Sequence, residues 1–349
     1  MCSSLTNHGY DTHLVVADGN GNEVFGEVRI HDVGRASGGR FNRMTETVNN
    51  VFKQAKLLNA ELYHLHDPEL MPIALKLKKL GKKVIFDAHE DLPLQVLSKP
   101  YLNRYVAKLI SKMVGIYESY VCKRLDAVVT ATPYIRNKFL KDNDNSIDIN
   151  NFPLLNELST LDTSNFSGRE RCCYVGAITK VRGINEIISS LQLVDPKFKL
   201  DLGGRFSEPS LELLVKQQPG WNQVVDHGWQ DRAGIQSILQ KSFAGLVTLH
   251  PIINYLDALP VKMFEYMAAG IPVIASDIPL WREIIEESDC GVCVDPYSPK
   301  DIANAIEYLG NNLEVAKTMG ENGRVAVLKK YNWSIEERKL VNLYRELLS

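Results

Sequence analysis

Several things are scarce in this chain, and each scarcity excludes a class. It has 6 Cys among 349 residues, too few for a disulfide framework, so reduced thiols in a cytosolic protein are the expectation. No apolar run approaches the roughly 18 residues needed to cross a bilayer. The opening MCSSLTNH has no basic stretch followed by an apolar one, so no secretory leader is read there. An excess of one charge is also lacking. With 40 Lys+Arg against 42 Asp+Glu, the balance argues against nucleic acid as a partner. No short-period repeat and no low-complexity tract is found. The remaining composition, 45% hydrophobic and 23% charged, is that of an ordinary globular protein. At roughly 150 residues per domain the length suggests two domains.

Short apolar runs alternate with amphipathic stretches. Residues 12–17 (THLVVA), 61–65 (ELYHL), 83–88 (KVIFDA) and 126–131 (DAVVTA) read as buried strands, with helical patterns over 43–58, 68–80 and 101–125. A polar stretch over 157–170 (ELSTLDTSNFSGRE) is the best linker. The alternation then restarts, with strands at 171–175, 198–202, 223–226, 243–249, 272–275 and 291–294 and helices between them. Strand–helix alternation of this kind predicts α/β units with parallel sheets covered on both faces. Three segments follow: 1–160, 161–330, and a terminal helical segment 331–349. The chain opens inside what reads as a first helix, ended by Gly9, so the first strand and turn of the first unit are read as missing.

Open α/β sheets bind ligands beyond the carboxyl ends of their strands, so the strand-to-helix turns are where chemistry is sought. One is YVGAITKVRG over 174–183: Gly176 and Gly183 allow close backbone approach, and Lys180 and Arg182 lie where a helix N-terminus already favours anions. A plain turn with solvated charges is the competing reading. Gly203–Gly204 is a second strand-end pair. The third and most informative runs from Leu249 and His250 to Pro272. Pro260 suits the first turn of a helix, and Gly270 ends it. Asp257 precedes that helix and Glu265 lies within it, placed to accept from sugar hydroxyls. Free N–H groups around Leu259, Val261 and Lys262 can receive phosphate, with Lys262 adding a charge.

This string, with the turn at 176–183, resembles the family-four retaining glycosyltransferases of the GT-B fold, two Rossmann-like doubly wound domains facing a cleft. The family's paired acids are Glu, seven residues, Glu; here they are Asp257, seven residues, Glu265. The similarity continues through FEYMAAGIPVIAS over 264–276, PLWRE over 279–283, HLHDPE over 64–69 and FDAHED over 86–91. The resemblance implies a nucleotide-sugar donor held by the second domain. Glu265 would bind the ribose, Arg182 and Lys262 the diphosphate, and Asp257 the donor sugar. The family often places an Arg directly after the first turn glycine; here it is Ala177, so either Lys180 compensates or a phosphate contact is absent. His89 matches the family's histidine that faces the donor sugar across the cleft, and a buried structural role is its alternative. Trp229 lies where the base is expected, packing being the equal alternative. The implied mechanism is front-face attack by the acceptor hydroxyl, assisted by the leaving phosphate, with retained configuration and no cofactor or metal.

Other signals are weaker. Asp142-Asn143-Asp144 spells a D-x-D, in a polar turn. Cys290 and Cys293 form a C-x-x-C without a second pair for zinc. Cys172 and Cys173 read as buried strand residues, and His64 with His66 supplies too few ligands for a metal. Residues 99–124 carry Lys99, Arg104, Lys108, Lys112, Lys123 and Arg124 against Glu118. That segment either lies against an anionic membrane bearing a lipid-linked acceptor or packs as a core helix with a solvated face.

The leading function is therefore transfer of a sugar from a nucleoside-diphosphate sugar to a glycan or lipid-linked acceptor in surface-polysaccharide biosynthesis. It would take place in the cytoplasm or at the inner face of the cell membrane. The alternatives are a nucleotide-sugar-binding protein without turnover, motivated by the missing first strand, and a GT-B-type epimerase.

Overall fold

The computed structural model describes residues 1–35, 39, 43–97, 102–155 and 166–349. It divides into two compact units, Met1–Asn150 with Glu336–Ser349, and Asn151–Ile335.

In the first unit, helix α1 (Cys2–Asn7) leads to β1 (His13–Val16), β2 (Glu23–Phe25) and β3 (Val28–Asp32). These form a three-stranded sheet in which β3 is central, parallel to β1 and antiparallel to β2. After α2 (Val48–Leu58), a four-stranded parallel sheet runs in the order β4 (Leu62–Leu65), β5 (Lys83–Ala88), β6 (Ala127–Thr130), β7 (Ser146–Asp148). Helices α3 (Met71–Lys79), α4 (Leu92–Leu97), α5 (Arg104–Cys122) and α6 (Pro133–Phe139) connect its strands. Residues of β5 and β6 are buried on both faces, as a parallel sheet clothed by helices requires. Ile73, Leu77, Phe86, Val128 and Phe139 make up much of this core.

The second unit contains a six-stranded parallel sheet in the order β10-β9-β8-β11-β12-β13. Its strands are β8 (Arg171–Val175), β9 (Lys199–Gly203), β10 (Val224–Gly228), β11 (Ser242–Val247), β12 (Val273–Ser276) and β13 (Gly291–Val294). The covering helices are α7 (Ile184–Leu191), α8 (Pro209–Lys216), α9 (Arg232–Lys241), α10 (Val261–Ala269), α11 (Pro279–Ser288), α12 (Pro299–Asn311) and α13 (Leu313–Lys329). The chain proceeds outward from β8 through β10, then returns to lay β11 on the other side of β8. Strand order therefore reverses between β8 and β11, the switch point at which doubly wound sheets bind ligands.

The passage between units falls at Asn150 and Asn151, before the polar stretch read as linker. Of that stretch, residues 157–165 lie outside the described ones. Hydrophobic packing sets the passage. Phe152 meets Phe264 and Tyr331 edge-on, at 4.8 and 5.5 Å between ring centres, and Trp333 N–H donates to Pro153 O. The terminal helix α14 (Trp333–Leu348) contributes Leu340, Leu343 and Tyr344 to buried positions of the first unit. Its buried Glu336 accepts from Asn150 N–H at 2.8 Å and pairs with Lys339 at 3.0 Å.

Candidate functional site

At the switch point, β8 ends in Gly176. Gly204, at the end of β9, has φ +158, and a Cβ there would strike the Gly176 carbonyl oxygen. Close approach of two strand ends is the reason for glycine at this place. At Gly183 a Cβ would strike the Thr248 carbonyl beyond β11, so the turn that carries Lys180 and Arg182 sits directly against the end of β11. His250 N–H donates to Val181 O at 2.9 Å and secures the same approach.

Helix α10 brings the cations in. Its Tyr266 hydroxyl accepts from Val175 N–H at 2.9 Å, tying the helix to the end of β8. An added Cβ on Gly176 would lie 3.2 Å from Lys262 Nζ and 3.6 Å from Arg182 Nη1. Gly176, Arg182 and Lys262 thus share one spot. Lys262 Nζ lies 3.6 Å from the centre of the Tyr174 ring and is buried with no hydrogen-bond partner. Burial, reinforced by the Arg182 charge, holds this amine down at about 7. Arg182 Nη1 donates to Ala177 O at 3.4 Å, and Tyr174 Oη donates to the same carbonyl at 2.8 Å. Buried Thr179 Oγ1, Asn185 Oδ1 and Thr248 Oγ1 also lack hydrogen-bond partners, and Glu186 Oε2 and His250 Nε2, though 3.2 Å apart, do not form a hydrogen bond. Unsatisfied buried polar atoms are uncommon in native proteins. Here they gather on the turn after β8, the first turn of α7 and the end of β11.

The remaining sequence-predicted residues of this unit fall around that spot. Glu265, in α10, accepts from Arg232 Nη1 at 2.7 Å. Arg232 opens α9 and was not singled out in the sequence, because nothing local links it to Glu265. His250 is buried, its Nε2 3.2 Å from Glu186 Oε2 and its ring against Tyr297. Asp257 is half-buried in the loop before α10, a loop held where Trp281 Nε1 donates to Ala258 O at 2.7 Å. Leu259 packs on the core, and Val261 begins the helix with its side chain exposed. Lys180 is exposed. Trp229 is exposed too, with the Arg205 guanidinium 5.3 Å from its ring.

His89 belongs to the first unit, just after β5, and is half-exposed. Its Nε2 is 3.7 Å from Asp87 Oδ2. The His64/His66 pair, read as short of ligands, has Asp87 beside it. The three donor atoms lie within 4.8 Å of one another, so this group could hold a metal ion. Burial and the neighbouring His66 push His64 down to about 3. Burial alone would raise the Asp87 carboxyl, but the surrounding imidazoles outweigh it and leave it below the ordinary value. Asp87 was missed because it follows from strand register rather than from any local motif.

The weaker sequence signals have structural explanations. Asp142 accepts from Ser119 Oγ at 2.7 Å and pairs with Lys123, while Asn143 Nδ2 donates to Cys122 O and Leu125 O. The D-x-D is thus a turn that caps α5. All six cysteines are free, with Cys172, Cys173 and Cys290 fully buried. In the basic segment Lys99 lies outside the described residues. Arg104, Lys108 and Lys112 are exposed, and so are Leu109, Met113 and Ile116, which excludes burial of that apolar row in the core. No helix among the described residues is long and apolar enough to cross a membrane.

Comparison with known proteins agrees with this architecture. The family model described as glycosyl transferases group 1 matches residues 162–326, and that described as glycosyltransferase family 4 matches residues 1–147. The chain is 23% identical over 346 residues to an uncharacterised glycosyltransferase of Methanocaldococcus jannaschii, covering 96% of this chain and 90% of that one. It is 26% identical over 179 residues to the alpha-D-kanosaminyltransferase of Streptomyces kanamyceticus, covering 50% of this chain and 45% of that enzyme. Among solved structures, sucrose-phosphate synthase of Thermosynechococcus elongatus is similar with a TM-score of 0.79 at 18% identity, covering 99% of this chain and 91% of that one. Anabaena HepE in complex with UDP is similar with a TM-score of 0.70 at 13% identity, covering 97% and 100%. With one family model matched on each unit, the chain belongs to the GT-B glycosyltransferases of the family-four type.

Proposed function

We propose that the chain is a retaining glycosyltransferase. It moves a hexose-type sugar from a nucleoside-diphosphate sugar to a glycan or lipid-linked acceptor in surface-polysaccharide biosynthesis. One observation carries the reading: Lys262 keeps a buried amine without a partner beside Arg182 and Gly176 at the switch point. A buried amine without a hydrogen-bond partner and beside a second cation is costly to keep charged, and a diphosphate would supply both acceptors and charge. The relatives support this direction. HepE has been solved in complex with UDP-glucose, and the chain is similar over half its length to a capsular polysaccharide biosynthesis glycosyltransferase of Staphylococcus aureus.

The roles follow from charge. As the C1–O bond to the diphosphate breaks, negative charge grows on the leaving group and positive charge on the sugar. Arg182, Lys262 and the free N–H groups at the start of α10 stabilise the former, so the diphosphate charge is met there by protein cations rather than by a divalent ion. The acceptor hydroxyl attacks C1 from the face the diphosphate leaves, and its proton passes to the departing phosphate oxygen, which retains configuration. Glu265, oriented by Arg232, accepts from the ribose hydroxyls, Trp229 offers a face for the base, and Asp257 and His89 orient the donor sugar. The exposed row Leu109, Met113 and Ile116 on α5, flanked by Arg104, Lys108 and Lys112, would lie against an anionic membrane presenting a lipid-linked acceptor.

Turnover of a panel of nucleoside-diphosphate sugars, read as release of the nucleoside diphosphate, tests the reading. Glu265→Ala should lower kcat/KM for the active donor by about tenfold or more, chiefly through KM, as loss of a contact made alike in ground state and transition state does. Undiminished turnover in that variant would overturn it.

A further inference from the structure

We propose that the first unit holds a divalent transition-metal ion of the zinc class. Its ligands are His64 Nε2, His66 Nδ1 and Asp87 Oδ2, and one coordination position is open to solvent. These ligands all belong to the first unit, and the proposal does not rest on the reading above.

The spacing of the donor atoms is the first argument. Asp87 Oδ2 lies 3.6 Å from His64 Nε2 and 3.1 Å from His66 Nδ1, and all three donor atoms fall within 4.8 Å of one another. Bonds of about 2.0–2.1 Å in a tetrahedral shell put neighbouring donor atoms roughly 3.3–3.4 Å apart. A direct charge-assisted hydrogen bond would instead draw nitrogen and oxygen to about 2.7–2.9 Å in a near-linear arrangement. Neither contact reaches it, and Asp87 Oδ2 has no hydrogen-bond partner.

The second argument is what these atoms lack. His64 Nε2 and Asp87 Oδ2 are both buried without a well-formed hydrogen bond, on side chains only 8% and 1% exposed, and the neighbours of Asp87 Oδ2 are imidazole nitrogens at 3.1 to 3.7 Å. Buried polar atoms without hydrogen bonds destabilise the folded chain. A cation between the two atoms satisfies both.

The supporting contacts are those of a ligand shell. His64 Nδ1 is 3.0 Å from Tyr344 Oη, so the other ring nitrogen is engaged and Nε2 is turned toward the carboxylate, as metal-bound imidazoles are commonly held. The His64 and His66 rings stack at 4.5 Å. Sheet register explains the convergence. β4 and β5 run parallel with Leu65 opposite Phe86, so the next residues along, His66 and Asp87, come side by side. His64, two residues before His66, shares its face.

The donor set chooses the metal. Two imidazoles and one carboxylate suit zinc, cobalt, nickel or ferrous iron, whereas magnesium and calcium take oxygen shells. His66 is 39% and His89 43% exposed, and the two rings lie 5.9 Å apart. The open position therefore lies on their side, where water or a substrate oxygen can enter.

The test is metal retention by the full chain. The protein is stripped with a chelator, dialysed against Co²⁺ and then against metal-free buffer, and its metal content and visible d–d absorption are measured. A single retained Co²⁺, displaced by Zn²⁺, is the expected result. Asp87→Asn keeps the buried shape, and His66→Ala alters a half-exposed position. Each should weaken retention at least tenfold while the far-ultraviolet spectrum stays that of the wild type. His31→Ala removes the other imidazole pair of this unit, in which His13 Nδ1 and His31 Nε2 are 2.8 Å apart, and should leave retention unchanged. The proposal is overturned if the wild type keeps no Co²⁺, if His66→Ala keeps it as tightly as the wild type, or if His31→Ala loses it.

Discussion

The amine of Lys262 sits 3.6 Å from the centre of the Tyr174 ring, a cation–π contact that, with the nearby charge of Glu265, favours the protonated amine while hydrogen-bond partners are absent among the described residues. Such a contact contributes on the order of 2 kcal/mol when desolvated, less than the cost of burying the charge. The result is an amine that is readily neutral near pH 7 and fully cationic only when an anion arrives.

Donor binding should therefore be linked to proton uptake. A nucleoside-diphosphate sugar keeps its charge across neutral pH, so Lys262 is the group that changes. Free, it titrates at about 7; beside a diphosphate it titrates higher. Affinity should be flat below that value and fall by up to tenfold per pH unit above it, until the raised value of the complex is passed. Calorimetry in buffers of different ionisation enthalpy at pH 8 should show proton uptake on binding. Lys262→Met should remove both the uptake and the pH dependence.

Without ligand the sign is opposite. The folded value lies below the ordinary 10.5, so between about pH 7 and 10 the unfolded chain binds the extra proton, and stability rises with pH through that window. Below pH 7 the penalty is complete, on the order of a few kcal/mol. Denaturant titration of the ligand-free wild type and Lys262→Met at pH 7 should find the variant more stable. Equal or lower stability would show that the amine is not buried as described.

Arg232 should act through Glu265. Its guanidinium lies 2.7 Å from the Glu265 carboxylate, so Arg232→Ala frees that carboxylate to turn away from the ribose. The expected effect is a rise of about tenfold in donor KM, with kcat changed less, because the lost contact serves ground state and transition state alike. Arg232→Lys should recover part of it. A fall in kcat alone would contradict this role.

Gly176 and Gly204 should differ in how far they couple binding to folding. An added methyl on Gly176 meets the flexible end of Lys262 at 3.2 Å, and the φ of +128 there is one L residues rarely adopt, so Gly176→Ala should bind nucleoside diphosphate more weakly at a modest cost in melting temperature. On Gly204 the methyl strikes the backbone carbonyl of Gly176, so Gly204→Ala should lower the melting temperature further. Thermal melts with and without a nucleoside diphosphate distinguish the two.

What the sequence made legible follows from how local each signal is. Runs such as RCCYV and FAGLV are buried on both faces of a parallel sheet, and an unbroken apolar run is the direct imprint of that burial. Arg182 was reached from the glycines of the turn after the first strand of the second unit, and Lys262 from the helix start at Pro260. The β2–β3 hairpin was missed because Glu23–Phe25 is exposed throughout and carries no burial pattern. The unit boundary was sought in the polar stretch, whereas packing of Phe152 on Phe264 fixes it earlier. Arg232 beside Glu265, and Asp87 beside His66, arise from the register of separate elements, and no window of sequence contains both members of either pair.

The most direct test is the affinity of the full chain for nucleoside diphosphates against the corresponding nucleosides, measured by calorimetry at pH 6.5 for the wild type and for an Arg182→Ala, Lys262→Met double variant. The wild type should bind its preferred diphosphate at least a hundredfold more tightly than the nucleoside, and the double variant should lose most of that difference. A wild type indifferent to the diphosphate, or a double variant that binds it as well as the wild type, would contradict the assignment of the switch point as a diphosphate site.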